Sequence, residues 1–279
     1  MTTGDLVTRV AVTRRADRTD AQWARLEPLL PRGRRTGRPP KWTKRQLIDG
    51  IRWRARVGSP WRDVPECYGP WQTVYGLFRR WQRAGVWAVI WKMLQVCADA
   101  SGRIVWTVSV DSTIARAHRH AAGARRDSGR QSEPPGGVED EPADHALGRS
   151  RGGWTTKTHL ACEQGRKVLP RLGLGQPRTR PEEVLADKAY SSRANRAYLR
   201  RRGITATIPI KADQAANRRN KGSAGGRVDP QRYKQRHAVE CGIGQLKENR
   251  TMATRYDKLT VRYLAIVQIT AINQWLRHG

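Results

Sequence analysis

The chain has 279 residues, with 54 Lys and Arg against 24 Asp and Glu, and a formal net charge of +30. A charge of that size calls for a polyanionic partner and argues against an ordinary small-molecule enzyme. No stretch approaches the roughly 18 consecutive apolar residues that span a bilayer, and the first residues lack the apolar core of a signal peptide, so the expectation is a soluble intracellular protein with no membrane partner.

The length suggests two domains, and 38% hydrophobic residues with eleven Trp suffice for real cores. Cys67, Cys97, Cys162 and Cys241 are scattered without the spacing of a zinc site or a disulfide frame. Arg outnumbers Lys, 43 to 11. That bias suits bidentate phosphate contacts and equally follows from a GC-rich genome. Residues 1–103 carry 21 basic and 8 acidic residues and the remainder 33 and 16, so both halves are basic.

Residues 1–19 are expected to be flexible. A first helix is predicted after an Asp20 cap, with Trp23, Leu26, Leu29 and Leu30 at helical spacing and Pro31 as its stop. A second starts after Thr43, carries Leu47, Ile48, Ile51 and Val57, and ends at Gly58-Ser59-Pro60. Trp71–Trp81 reads as a third with a basic C-terminal end, and Val86–Ala98 as a fourth. Several short helices with a basic late member suggest a helix-turn-helix over 20–101, with Gln72, Thr73, Arg79 and Arg80 facing DNA. The same residues also fit the solvated face of a small bundle. Arg34 and Arg38, in a Gly- and Pro-rich basic stretch, resemble a minor-groove arm, as basic linkers do too.

The boundary falls near Ser101–Gly102. Beyond it Ile104–Val110 is β-branched and runs into Asp111, Trp154–Cys162 reads as a second strand, and Val184-Leu185-Ala186 as a third leading to Asp187. A helix of about 192–202 and a strand at 205–210 follow. Residues 127–147 are rich in Pro, Gly and acid and read as a disordered insert. Lys211–Arg227 reads as a basic loop along a DNA backbone, and Leu259–Leu276 as a core helix.

At 100° per residue, Tyr233, Arg236, Glu240 and Lys247 fall within one 60° arc of a single helix, so one face presents a carboxylate framed by two cations. Val239, Ile243 and Leu246 form the adjoining apolar stripe, and packing must outweigh the roughly 1 kcal/mol that each of Gly242 and Gly244 costs the helix. Asp111, Asp187 and Glu240 brought together would repel unless divalent cations lay between them; oxygen ligands suit Mg2+ or Mn2+, and two ions would serve displacement at phosphorus. The alternative is that the two Asp are strand-end caps and that Glu240 pairs with Arg236 on a solvated face. His237 reads as a packing residue, and His118 and His120 as structural or DNA-facing.

The spacing Y-x2-R-x3-E-x6-K, filled by Tyr233, Arg236, Glu240 and Lys247, resembles the signature of bacterial insertion-sequence transposases of the DDE type (the insertion sequence four/five type). Asp111-Ser112-Thr113, ARAHRHAAGARR at 115–126, GRSRGGWTTKTHL at 148–160, VLADKAYSS at 184–192 and TDAQWARLEPLLP at 19–31 with the stretch after it resemble that family in the same order. The resemblance implies an α/β chain: an N-terminal all-α end-binding domain, then a ribonuclease H-like mixed-sheet catalytic domain over 104–279. It implies Asp111, Asp187 and Glu240 as catalytic and metal-binding triad, two Mg2+ or Mn2+ ions, and Tyr233, Arg236 and Lys247 on DNA near the cleaved strand. Double-stranded DNA at element ends and target would be the substrate, with a homo-oligomer assembled on it in the bacterial cytoplasm, and no small-molecule substrate. Residues 163–183 depart from the family: three Gly and three Pro stand where another strand and a crossover helix belong, so one strand and one helix are expected to be missing. That loss would expose apolar surface and displace the carboxylates, leaving an impaired transposase that still binds DNA as the alternative.

Overall fold

A computed structural model describes residues 17–32, 40–126, 131–170, 180–220 and 228–277, the side chains of Asp213, Arg218 and Arg219 excepted. Four helices come first: α1 (Asp20–Leu26), α2 (Lys44–Val57), α3 (Trp71–Arg83) and α4 (Val86–Ala100). Thr19, one residue before the expected cap, closes a capping box with Gln22 at α1, and Thr43 closes one with Gln46 at α2. Gly58 ends α2 at φ 76°, a conformation that favours glycine. Residues 58–70, with two short 3-10 turns, join α2 to α3, a longer connection than the three or four residues of a helix-turn-helix.

The second half is built on a sheet with β1 (Thr107–Ala117) at its centre. Its other strands are β2 (Gly148–Ser150), β3 (Gly153–Cys162), β4 (Glu183–Ala186), β5 (Thr205–Thr207) and β6 (Thr254–Arg255). The order is β2-β3-β1-β4-β5, with β6 beside the end of β1. β3 runs antiparallel to β1, and β4 and β5 continue parallel to it. The helices are α5 (Arg119–Ala122), α6 (Arg193–Arg201), α7 (Ala212–Asn220), α8 (Pro230–Lys234), α9 (His237–Lys247), α10 (Arg250–Ala253) and α11 (Thr260–Arg277). Part of the expected basic loop at 211–227 is thus the helix α7; residues 221–227 lie outside the described ones.

One apolar core joins the two halves. Ile51, Phe78, Ile90, Ile266, Ile272 and Trp275 are all fully buried in the same cluster, with α11 packed on α4 and α2. Arg18, itself buried, donates to Asp49 on α2 at 2.7 Å and to Asn273 on α11 at 2.8 Å, so the residue just before α1 ties these two helices together. Among the described residues no helix is long and apolar enough to cross a membrane.

Two stretches differ from expectation. After β3 the chain turns back at once; among the described residues of the stretch where a strand and a helix are expected to be missing, 163–170 and 180–182, there is a single bridge, Cys162 to Val168, and no helix, and residues 171–179 lie outside the described ones. The remnant is nevertheless sealed. Val168 is fully buried, its carbonyl accepts from the indoles of Trp91 (3.1 Å) and Trp275 (2.8 Å), and its N–H donates to Gln274 Oε1 at 2.9 Å. Among the described residues the exposed large apolar side chains include Val105 and Ile114 near the sheet and Val89 and Met93 on α4.

Residues 131–147 are not the solvated insert the composition suggests. Glu133 reaches into the protein between Arg79 of α3 and Arg262 of α11, its side chain 6% exposed. The Val138 N–H donates to the Arg83 carbonyl at 3.0 Å. Glu141 accepts from the N–H groups of Thr260 (2.8 Å) and Val261 (3.0 Å), placing a carboxylate on the positive end of the α11 dipole. This acidic segment is a strap across α3 and α11.

Candidate active site

Asp111 lies within β1 rather than at its end, but it marks where the parallel pairing with β4 stops. The last rung of that ladder joins Val110 to Ala186, so the next residue on each strand is an aspartate: Asp111 and Asp187. Beyond that rung β1 continues against β3 alone, with Asp111 opposite Leu160. The β-branched run that precedes Asp111 and the short apolar run that precedes Asp187 thus bring two carboxylates to one edge of the ladder.

The third carboxylate comes from α9. The arc of Tyr233, Arg236, Glu240 and Lys247 is not carried by one unbroken helix: α8 ends at Lys234, and α9 begins at His237. The joint is fixed from the sheet, because the Ser109 hydroxyl donates to the Gln235 carbonyl at 3.3 Å. Arg236, placed at this joint, donates to Asp111 Oδ2 at 3.0 Å and with its other terminal nitrogen to Glu240. Tyr233 lies with its ring 5.8 Å from the same guanidinium. Lys247 is half-buried at the far end of α9.

Gly242 explains how α9 comes so close to the sheet. A Cβ there would stand 2.6 Å from the Cys162 sulfur and 2.8 Å from the Arg166 carbonyl oxygen, whereas a Cβ on Gly244 would meet nothing within 4 Å. Only the first glycine is required by packing.

Burial draws the Arg236 guanidinium down, but Glu240, Tyr233 and Asp111 outweigh it and hold its pKa above the ordinary value. Glu240 is held below the usual carboxylate range, first by its hydrogen bond with His237 at 3.0 Å; burial opposes this, and the charges of Arg236 and His237 add to the lowering. His237 is therefore no packing residue. It is exposed and contacts Glu240 and the Cys241 sulfur.

Asp187 is turned differently. Its carboxylate accepts from the Ala189 N–H at 2.8 Å and caps the short turn Lys188–Tyr190. Among the described residues no group of three or more His, Cys, Asp or Glu is arranged to hold a metal. Asp111 and Glu240 are joined through Arg236, and Asp187 stands next to Asp111 across the ladder without joining that network.

Sequence reasoning missed Tyr190. Its hydroxyl lies 2.8 Å from His159 Nδ1 and contacts Ser112; its pKa is raised by burial and by the charges of Asp111 and Asp187. The signal was the register: His159 stands opposite Ser112, next to Asp111, and Tyr190 follows Asp187 by three residues.

On α3, Gln72, Thr73 and Arg80 are exposed, as a reading face requires. Arg79 is not available in the same way: it pairs with Glu133 and hydrogen-bonds Gln82. Arg34 and Arg38 lie outside the described residues. His118 accepts from the His120 N–H at the start of α5, and the two imidazoles stack at 5.1 Å.

Residues 19–91 match the family described as "Putative transposase of IS4/5 family", and residues 184–277 match the one described as "Transposase DDE domain". The chain is 41% identical over 110 residues to "Uncharacterized protein y4sN" of Sinorhizobium fredii, covering 39% of this chain and 84% of that protein. It is 30% identical over 117 residues to "Putative transposase for insertion sequence element IS6501" of Brucella ovis, covering 42% and 79%. It is 35% identical over 107 residues to "Insertion element IS402 uncharacterized 16.2 kDa protein" of Burkholderia cepacia, covering 35% and 71%. No solved structure matches the chain. The order of two aspartates on paired strands and a glutamate on the helix behind them, together with these matches, makes the chain a member of the IS4/5 family of insertion-sequence transposases.

Proposed function

We propose that the chain binds the terminal inverted repeats of an insertion element and cleaves and transfers DNA strands at a site made by Asp111, Asp187 and Glu240. The observation that carries this reading is the single guanidinium of Arg236 shared by Asp111 and Glu240, with Asp187 next along the ladder. A strand order of an antiparallel pair followed by two parallel strands supports a ribonuclease H-like catalytic unit over 104–279. Residues 20–101 would be the end-binding unit, with Gln72, Thr73 and Arg80 toward DNA, and the working form would be a homo-oligomer on its DNA.

The donor set suits a divalent cation. Three carboxylates offer only hard oxygen ligands, and the gap between two of them already holds a positive charge. Two Mg2+ or Mn2+ ions, when bound, supply the Lewis acidity that activates an attacking hydroxyl and stabilises the leaving oxygen. The chain's own groups position the reactants. Arg236, Tyr233 and Lys247 would grip phosphates beside the cut strand, His237 orients Glu240, and Tyr190 with His159 braces the edge where Asp111 and Asp187 meet.

A second reading is a chain that binds DNA without cutting it. It is favoured by Asp187, whose carboxylate caps its own turn, and by the reduction of one strand to the Cys162–Val168 bridge. Strand cleavage of a duplex carrying the element's repeats, in Mg2+ or Mn2+ with Asp111→Asn alongside, decides between them. Metal-dependent nicking absent from the variant supports the first reading, and repeat-specific binding without nicking by either protein supports the second.

A further inference from the structure

Several arginines that reach toward the interior have carboxylate partners: Arg18 with Asp49, Arg54 with Asp257 and Arg79 with Glu133. The rim where β1 leaves the sheet and β2 and β3 turn is different. Arg116, Arg119, Arg125, Arg126, Arg149 and Arg151 are all exposed there, and none forms an ion pair with a carboxylate among the described residues. Two of them converge on one half-buried indole: the guanidinium carbons of Arg125 and Arg149 lie 5.4 Å and 5.9 Å from the Trp154 ring.

This geometry is built by the backbone. Arg149 and Trp154 are opposite each other in the β2–β3 ladder, and Gly153, at φ 102°, makes the turn that puts them there. Arg125 comes from the turn after α5, so two unrelated segments deliver like charges to one platform. Cation–π contact between exposed cations and this half-buried Trp returns on the order of 0.5–1 kcal/mol for each cation and leaves the guanidinium N–H groups free. Holding both cations against a rigid ring lowers the side-chain entropy lost when an anion binds.

We propose that Arg125 and Arg149, stacked on Trp154, form a clamp for the phosphate backbone of duplex DNA outside the candidate active site. The inference rests on the reading that the chain acts on DNA. Strand alternation puts Trp154 on the same sheet face as Leu160, the rung partner of Asp111. The six-residue separation is about 20 Å along the strand. At the roughly 3.4 Å rise of B-DNA, that is about six base pairs from a phosphate held at Asp111. The clamp would grip the flanking duplex rather than the strand being cut, and by contacting backbone alone it would serve any base sequence.

The test is equilibrium binding of the full chain to a labelled repeat duplex over a series of KCl concentrations. The Arg125→Ala/Arg149→Ala double variant, folded by circular dichroism and melting, should show a slope of log affinity against log salt smaller by about 2, because each lost phosphate contact removes about 0.9. The loss should be equal on an unrelated duplex, and Arg125→Lys/Arg149→Lys should restore most of the slope. If the Ala variant fails to fold, phenylglyoxal labelling of the unaltered chain read by mass spectrometry replaces it, with Arg125 and Arg149 protected by duplex. An unchanged slope in the folded Ala variant, or equal labelling with and without DNA, overturns the clamp and leaves the Asp111 site standing. Failure of the unaltered chain to bind any duplex overturns both.

Discussion

Arg236 donates to Asp111 at 3.0 Å across 125 residues of sequence, and the same guanidinium reaches Glu240 one turn further along α9. One cation thereby fixes the helix carboxylate relative to the strand carboxylate before any substrate arrives. On the proposed metal-dependent reading, it occupies the place between these carboxylates that a divalent ion would take.

Removing that link has a measurable consequence. Arg236→Ala leaves Asp111 and Glu240 without their shared counter-charge, yet both carboxylates are partly exposed, so the loss of stability should stay within about 1 kcal/mol. Mg2+ should then raise the melting temperature of the variant more than that of the unaltered chain. Equal shifts on Mg2+ addition would mean that Arg236 and the ion do not compete for these carboxylates.

The two glycines of α9 should respond in opposite directions. Gly242→Ala pushes a methyl into Cys162 and the Arg166 carbonyl and should destabilise by about 1–3 kcal/mol. Gly244→Ala meets open space and should stabilise by about 1 kcal/mol through helix propensity. Urea unfolding of the two variants checks the pair.

Arg79 and Arg80 are neighbours with different duties. Glu133→Ala, which leaves Arg79 largely buried without its partner, should cost about 3 kcal/mol in urea unfolding. Arg79→Ala should lower stability without changing the salt dependence of DNA binding. Arg80→Ala should leave stability unchanged and reduce the salt slope by about 1. An unchanged salt slope in both variants would remove α3 as a reading helix.

Thiol chemistry reports the seam between α9 and the sheet. Burial pushes the Cys162 thiol up to about 12 from 9.0. Cys67 and Cys97 are exposed and should react with a thiol reagent in the folded chain, Cys241 more slowly, and Cys162 only on unfolding. The unfolded chain releases this proton near pH 9.0 and the folded one near 12, so the group's effect on stability is nil below 9 and increasingly unfavourable as pH rises from 9 toward 12. A Cys162→Ala variant should show a smaller decline over that window.

The elements most legible in the sequence were those whose pattern is local. The start after Thr43, the stripe of α2 and the apolar length of α11 each state their element within a few turns, and the aspartates at 111 and 187 follow β-rich runs directly. The break at Gln235–Arg236 was hidden because helical phase continues across it. The strap was hidden because Pro, Gly and acid mark a solvated loop, while Glu133 and Glu141 find their partners at positions 79, 262, 260 and 261. Tyr190 depended on strand register, which no single stretch of sequence encodes.

The most direct test of the three-carboxylate site is metal-dependent strand cleavage of a repeat duplex by the unaltered chain and by Asp111→Asn, Asp187→Asn and Glu240→Gln. Asp187 is the decisive member, because its backbone position is next to that of Asp111 beyond the last rung of the ladder while its carboxylate is engaged by the Ala189 N–H. Loss of cleavage in all three variants, with binding to the repeats retained, is the predicted result. Cleavage that survives Asp187→Asn would contradict it.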